Sequence, residues 1–444
     1  MRADRPGLVQ PTPYRPSPSE DAELSRLLDA KFDSFDAPYR TPRQILGRRS
    51  TAGCVALEVT QRCNLDCTLC YLSDYSESVP DPPLEELKRK ADNIKRLFGV
   101  QTNVQITGGD PTLRRRDELV EIVRYVASIG LNPALFTNGI RCSRDLLAEL
   151  RSVGLVDVAF HVDVTQERKG YTSERQLNEI REDYLDRARG LGLAVIFNTT
   201  VCDENLDELP ELVRFFVGKA GELGMCSFQM QADTGRGILH RRGVALTKQH
   251  MQRLIDDACG TRISWDHVLI GHPDCHNIGY ALVVGAGTRE PEVIDLFDDP
   301  AIIERFLADF ATVPLDRSDV PRSALAVAHH IFASKPEWLR FGHRFAARLV
   351  GKMARAMVRT RSMRVGKLSF FMQNFQDADA LDPARIKHCS FYVATRDGAV
   401  SMCEHNARRD DYIIPAQLVR GVDIKPARPP IASVPRDAEH RPLK

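Results

Sequence analysis

The sequence predicts an α/β fold in which six parallel strands build an open, partial (β/α)6 barrel of the TIM type. Three observations carry that expectation. Short β-rich runs alternate with amphipathic helical stretches from residue 53 to residue 231. The six units occupy about 200 residues, whereas a closed eight-fold barrel takes about 250. The residues with the most chemistry fall just past the strands, at the end where such sheets bind ligands.

The first strand signal is the apolar run 55–59. The stretch 84–98 repeats Leu84, Leu87, Ile94 and Leu97 at three- and four-residue steps, the period of a helix. Strands at 104–106, 133–136, 156–162, 194–201 and 226–231 then alternate with helices at 119–129, 144–153, 175–191 and 206–220. Alternation at this spacing implies right-handed βαβ units. Five stretches follow from the change of rhythm. Residues 1–50 read as a Pro-rich leader with a short helix near 22–32, and 51–245 as the barrel. Residues 246–370 read as a variable helical region carrying Cys275, 371–423 as a cysteine-bearing hairpin segment, and 424–444 as a disordered tail.

Composition narrows the function. The 444 residues are 43% apolar and carry a formal charge of +1, so no global field favours nucleic acid. No apolar run is long enough to span a bilayer, and the N-terminus lacks the apolar core of a secretory signal, so a cytoplasmic location is expected. Eleven cysteines in such a chain read as metal ligands or reactive groups rather than disulfides.

Cys63, Cys67 and Cys70 form a C-x3-C-x2-C loop just after the first strand. Thiolates suit iron–sulfur clusters, and three of them leave one corner of a four-iron cube open to another ligand. Structural zinc asks for four ligands, commonly in paired C-x2-C units, and no partner pair stands nearby.

With these motifs, residues 53–235 resemble the radical S-adenosylmethionine (SAM) superfamily. The resemblance implies a [4Fe–4S] cluster on Cys63, Cys67 and Cys70 with SAM on the open iron. It also implies reductive cleavage of SAM to a 5′-deoxyadenosyl radical that abstracts hydrogen from an unactivated C–H bond. Gly108, Gly109 and Asp110 resemble the family's Gly-Gly-Glu-Pro segment, which holds the amino group of SAM, with Asp in place of Glu. The two glycines lack a Cβ, which would let the backbone approach the ligand closely. Thr137, Asn138 and Gly139 resemble its Thr-Asn-Gly turn. The family often places an aromatic just before the third cysteine. Here that residue is Leu69, and Tyr71 follows instead as the aromatic for adenine. Asp163, two residues from His161, is expected at the ribose hydroxyls. Asn198 and Thr200, and Gln229 and Gln231, are polar pairs on interior strands, costly there unless they meet a ligand.

A second group is expected farther along. Cys389 and Cys403 flank two strand signals, 392–395 and 399–402, around an Arg-Asp-Gly turn. With Cys275 they are expected to hold an auxiliary iron–sulfur cluster whose fourth ligand is open among His276, His405 and another cysteine. Packing or a zinc site is the alternative. His-Pro-x-Cys at 272–275, Met372-Gln373-Asn374-Phe375 and the 389–406 hairpin resemble the group containing tetraether lipid synthases and pterin methyltransferase-like enzymes. That resemblance implies C–C bond formation or methylation on a lipid or small molecule, with a flavodoxin or ferredoxin as reductant. The rival readings are a peptide maturase with a shortened auxiliary-cluster domain and a non-catalytic iron–sulfur or zinc protein. Arg344, Arg348, Lys352, Arg355 and Arg359 recur at helical spacing beside apolar residues, a pattern that fits either peripheral membrane contact or a solvated helix. Cys54, Cys142, Cys202, Cys226 and Cys259 read as small core residues.

Overall fold

The computed structural model describes residues 14–44, 50–238, 242, 246–310, 313 and 320–414. The expected tail at 424–444, and residues 1–13 and 45–49 of the expected leader, lie outside the described residues. Helix α1 (Pro18–Asp33) precedes the sheet. Then come β1 (Cys54–Thr60), α2 (Leu84–Phe98), β2 (Asn103–Gly108), α3 (Arg116–Ser128), β3 (Asn132–Thr137), α4 (Arg144–Ser152), β4 (Asp157–His161), α5 (Glu174–Ala188), β5 (Ala194–Val201), α6 (Leu209–Gly218) and β6 (Met225–Met230). These are the six predicted units, and β1 to β6 pair in sequence order, all parallel.

The pattern of side chains explains the layering. In α2, Leu87, Ala91, Ile94 and Phe98 are buried, while Glu85 and Glu86 open the helix and Lys95 and Arg96 close it, matching its dipole. In β2, Val104 and Ile106 are buried and Asn103, Gln105 and Thr107 are half-buried. Val55, Leu57, Leu135, Val158, Phe160, Phe197 and Phe228 belong to the same core as Leu87 and Ile94. The opposite, polar face of the strands is left for the interior.

The region after β6 departs from expectation. It contains α7 (Lys248–Cys259), β7 (His276–Val284), β8 (Glu292–Asp295), α8 (Pro300–Phe310), α9 (Val320–Ser334), α10 (Trp338–Thr360) and β9 (Val365–Asn374). Strands were not expected here because β7 and β9 pair antiparallel and distantly, without the βα rhythm that marks the first six. β9 lies parallel to β6 and β8 forms a hairpin with β7, so the sheet grows by three strands on that side. On the other side β10 (Phe391–Ala394), preceded by α11 (Pro383–Lys387), lies parallel to β1, and β11 (Ala399–Ser401) pairs with it. Helices α12 (Met402–Ala407) and α13 (Arg409–Ile413) follow.

Among the described residues the sheet has eleven strands in the order β11-β10-β1-β2-β3-β4-β5-β6-β9-β7-β8 and is not closed by hydrogen bonds. Side chains close it instead. Phe391 on β10 stacks on Phe371 of β9, with ring centres 5.9 Å apart, within an apolar cluster that includes Cys54, Val268, Ile278 and Cys389, and its ring lies tilted against His276 of β7 at 4.2 Å. Residues 31–44 cover this seam. Tyr39 Oη lies 3.0 Å from His272 Nε2, and Asp36 Oδ2 lies 2.7 Å from His388 Nε2. Lys31 Nζ donates to the Cys389 carbonyl at 3.2 Å.

Candidate functional site

Cys63, Cys67 and Cys70 lie in the loop after β1 and are half-buried. Three parts of the fold hold that loop. At the end of β2, a Cβ on Gly108 would stand 1.9 Å from the Thr60 carbonyl oxygen, and one on Gly109 would stand 2.0 Å from that of Arg62. The glycine pair is therefore required by close approach to the cluster loop itself, a constraint the sequence reading assigned to a ligand. After β4, Thr68 N–H donates to the Thr165 carbonyl at 2.8 Å. After β6, Arg236 N–H donates to the Leu72 carbonyl at 2.8 Å and Gly237 N–H to the Cys70 carbonyl at 3.0 Å. A Cβ on Gly237 would stand 2.0 Å from the Cys70 nitrogen. Finally, Tyr71 Oη donates to the Gly108 carbonyl at 2.6 Å.

The thiols share one electrostatic environment. Burial pushes Cys63 up to about 11, with Asp110 and Cys70 adding to the rise and Arg236 opposing it. Cys67 is raised for the same reason, burial first and then Cys70. Arg236, itself buried, is the cation facing these thiols. Sequence reading missed it, although Gly235-Arg236-Gly237 just past the sixth strand was the available signal.

The donor set fits an iron–sulfur cube. Among the described residues no three His, Cys, Asp or Glu side chains converge at the spacing of a single metal ion. A cube takes one thiolate per iron and so accepts thiols that stand apart. Binding releases the thiol protons, and a guanidinium beside them favours the thiolate form.

Asp110 and Asp163 each bind a neighbouring strand end. Both are fully buried. Asp110 Oδ1 accepts from Thr112 N–H at 2.9 Å and Thr112 Oγ1 at 2.5 Å, and its Oδ2 accepts from Thr137 Oγ1 and Asn138 N–H, each at 2.8 Å. Asp163 repeats the device, accepting from Thr165 N–H at 3.0 Å and Thr165 Oγ1 at 2.5 Å, and from Thr200 N–H at 2.7 Å. Its Oδ2 also lies 2.7 Å from His161 Nε2. Burial works to raise Asp163, but His161 and these donors outweigh it and hold the carboxyl below the usual range. Each aspartate thus caps a short turn and ties its strand to the next, as Asp-x-Thr turns do.

Asn138 does reach the loop. Its Nδ2 donates to Asn64 Oδ1 at 2.7 Å and lies 3.9 Å from Cys63 Sγ. Thr137 serves the Asp110 brace. Asn198 is buried on β5 in register with His161 and Ser227, while Gln229 is half-buried between Thr200 and Gln373. Gln373 Nε2 donates to Ser227 Oγ at 2.6 Å, so the polar row continues onto β9.

The second group comes from three distant segments. Cys275, Cys389 and Cys403 are all buried and line one cavity with His276, Gln376 and Arg385. Arg385 Nε donates to Cys275 Sγ at 3.4 Å, and Asn374 N–H donates to the Cys275 carbonyl at 2.8 Å. Burial pushes Cys403 up to about 12 and raises Cys275. Three thiols beside a guanidinium again make a donor set that fits an iron–sulfur group. Of the residues named for the fourth position, His276 faces the cavity. His405 instead stacks on Tyr412, with ring centroids 5.0 Å apart, and faces Glu58. Cys54, Cys142, Cys202 and Cys226 are buried and Cys259 is half-buried.

Comparison with known proteins points to the stretch that carries the loop. Residues 57–216 match the family model described as the radical SAM superfamily. The 7,8-dihydro-6-hydroxymethylpterin dimethyltransferase of Methanocaldococcus jannaschii is 27% identical over 194 residues, 42% of this chain and 38% of that protein. GTP 3′,8-cyclase of Marinobacter nauticus is 32% identical over 214 residues, 46% of this chain and 62% of that protein. The chain thus spans between 38% and 62% of the length of these two relatives. The crystal structure of Streptococcus suis SuiB bound to S-adenosylmethionine aligns over 55% of this chain and 53% of that one, at 16% identity and a TM-score of 0.37. The similarity to the radical SAM superfamily thus rests on residues 57–216, the stretch that carries the cysteine loop and the first five strands.

Proposed function

We propose that the chain is an enzyme that functionalises a C–H bond of a lipid or small molecule, by C–C bond formation or methylation. Cys63, Cys67 and Cys70 would hold the SAM-binding cluster, and Cys275, Cys389 and Cys403 an auxiliary one. The observation that carries the reading is the convergence of Asn138, the Gly108–Gly109 backbone and Arg236 on one three-cysteine loop at the strand ends. When bound, the cluster and SAM supply reductive cleavage to an organic radical. The chain's own residues bind, orient and exclude water. Gly108 and Gly109 keep the β2 end against the loop. Tyr71 offers an aromatic face beside Cys70, and Asn198, Gln229 and Gln373 offer polar groups to whatever lies inside the sheet. Asp110 and Asp163 keep the strand ends in place.

Electrons would come from a flavodoxin- or ferredoxin-like donor. A peptide maturase would need a peptide-binding module, and residues 31–44 are instead docked on the auxiliary segment through Asp36 and Tyr39. Reconstituted protein incubated with SAM and dithionite is expected to release methionine and 5′-deoxyadenosine. Binding of SAM by an iron-loaded protein with no such release would count against the reading.

The lipid half of the proposal draws on exposure. Leu325, Phe332, Leu339, Val350 and Val358, on α9 and α10, are between 51% and 78% exposed, although no helix among the described residues is long and apolar enough to cross a membrane. The basic row is smaller than its sequence suggests. Arg348 pairs with Asp298 and Asp299, Lys352 with Asp298, and Arg359 with Glu292. Flotation with anionic vesicles at low salt is expected to carry the protein upward, and a protein that stays at the bottom favours the small-molecule substrate.

A further inference from the structure

A buried polar network joins β1 and the start of the first cysteine loop to α13. Arg409, on α13, is 3% exposed and Glu58, on β1, is 7% exposed. Arg409 Nη2 donates to Glu58 Oε1 at 2.5 Å and to Gln61 Oε1 at 3.0 Å, and Gln61 Nε2 donates to Glu58 Oε2 at 2.8 Å. The guanidinium carbon lies 4.8 Å from the centre of the Tyr71 ring, whose hydroxyl donates to Gly108.

Taking a guanidinium and a carboxylate out of water is costly, and apolar residues of the same size would often serve stability as well. The best-attested use of a buried pair is to fix one arrangement among several. This pair stands where that matters. β1 runs from Glu58 into the loop at Cys63, and Tyr71 follows Cys70 at its exit. Arg409 comes from the segment whose α12 carries Cys403. One side chain therefore touches both the stem and the exit of the first loop while belonging to the segment of the second group. Its Nη2 reaches both the carboxylate and the amide, and the guanidinium lies over the ring.

We propose that Arg409 is a positioning residue that holds the β1 stem and the Tyr71 ring in one geometry, so that the C-terminal cysteine segment sets the shape of the SAM-binding loop. This rests on the reading of that loop as an iron–sulfur site.

Three variants of the full chain test it after anaerobic reconstitution: Arg409→Met, Arg409→Lys and the double variant Glu58→Gln/Arg409→Met. The readouts are iron per chain, the melting temperature, the SAM dissociation constant, and the electron paramagnetic resonance spectrum of the reduced protein with and without SAM. Arg409→Met is expected to weaken SAM binding about ten-fold or more, the range typical of groups supporting a metal site. It should also diminish the spectral change that SAM causes. Arg409→Lys should fall between it and the wild type. The double variant leaves no uncompensated charge, so it should recover the melting temperature while SAM binding stays weak. It carries the test if Arg409→Met does not fold. Wild-type SAM affinity and spectra in the double variant would overturn the proposal, leaving Arg409 as a counter-charge to Glu58. A wild-type protein that takes up no iron at Cys63, Cys67 and Cys70 would instead overturn the reading beneath it.

Discussion

The loop of Cys63, Cys67 and Cys70 and the cavity of Cys275, Cys389 and Cys403 hold three thiols each, in opposite settings. The first three are neighbours in sequence and half-buried, facing Arg236 from the segment after β6. The second three come from the loop before β7, the loop before β10 and α12, and are buried at the seam where the two ends of the sheet meet. One site is made by local chain and braced by the fold, whereas the other exists only once the fold has closed. That difference orders what each should survive.

The largest effect is expected at the seam. Phe391→Ala removes a buried ring packed on Phe371 and His276 and should cost about 3–5 kcal/mol. Chemical denaturation measures that loss. Iron counting should show the second site emptied and the first retained, and a variant that loses both equally would break the comparison.

Asp110→Ala comes next. It strips four hydrogen bonds from a buried carboxylate joining β2 and β3 and should cost about 3 kcal/mol, with little change in iron at the second site. Unchanged stability with lost SAM binding would return Asp110 to the ligand role that its motif suggested.

Gly237→Ala acts on the first site alone. The added Cβ meets the Cys70 nitrogen at 2.0 Å, and the strain should cost about 1–3 kcal/mol and lower iron at Cys63, Cys67 and Cys70 while sparing the cavity. Gly218→Ala, at the end of α6 with nothing within 4 Å, is the smallest effect. It should stabilise by about 0.5 kcal/mol and leave both sites intact, which a thermal melt can resolve.

The same division separates what was legible in the sequence. Residues 53–231 repeat a local period, so the six strands and their helices can be read within a few residues of their ends, and α2 at Leu84–Phe98 falls on its predicted bounds. The cysteine loop is local too. β7, β8 and β9 escape because their pairing is set by residues far apart, and Val365–Asn374 borders a helical stretch with no turn signal of the barrel type. Asp110 and Asp163 sit in motif positions that suggest a ligand. The Thr two residues on gives each a turn contact as well, and the bond to the next strand end is visible only in the fold. The partners of the basic row of α10 were not legible, because Asp298, Asp299 and Glu292 lie far from Arg348 and Arg359 in sequence.

Iron and acid-labile sulfide per chain, after anaerobic reconstitution of the wild type and of a Cys63→Ala/Cys67→Ala/Cys70→Ala variant, test the central claim most directly. The variant is expected to lose about four irons, one cube, and to keep those at Cys275, Cys389 and Cys403. A variant that retains all of the wild type's iron, or a wild type that takes up zinc and no iron, would contradict the account.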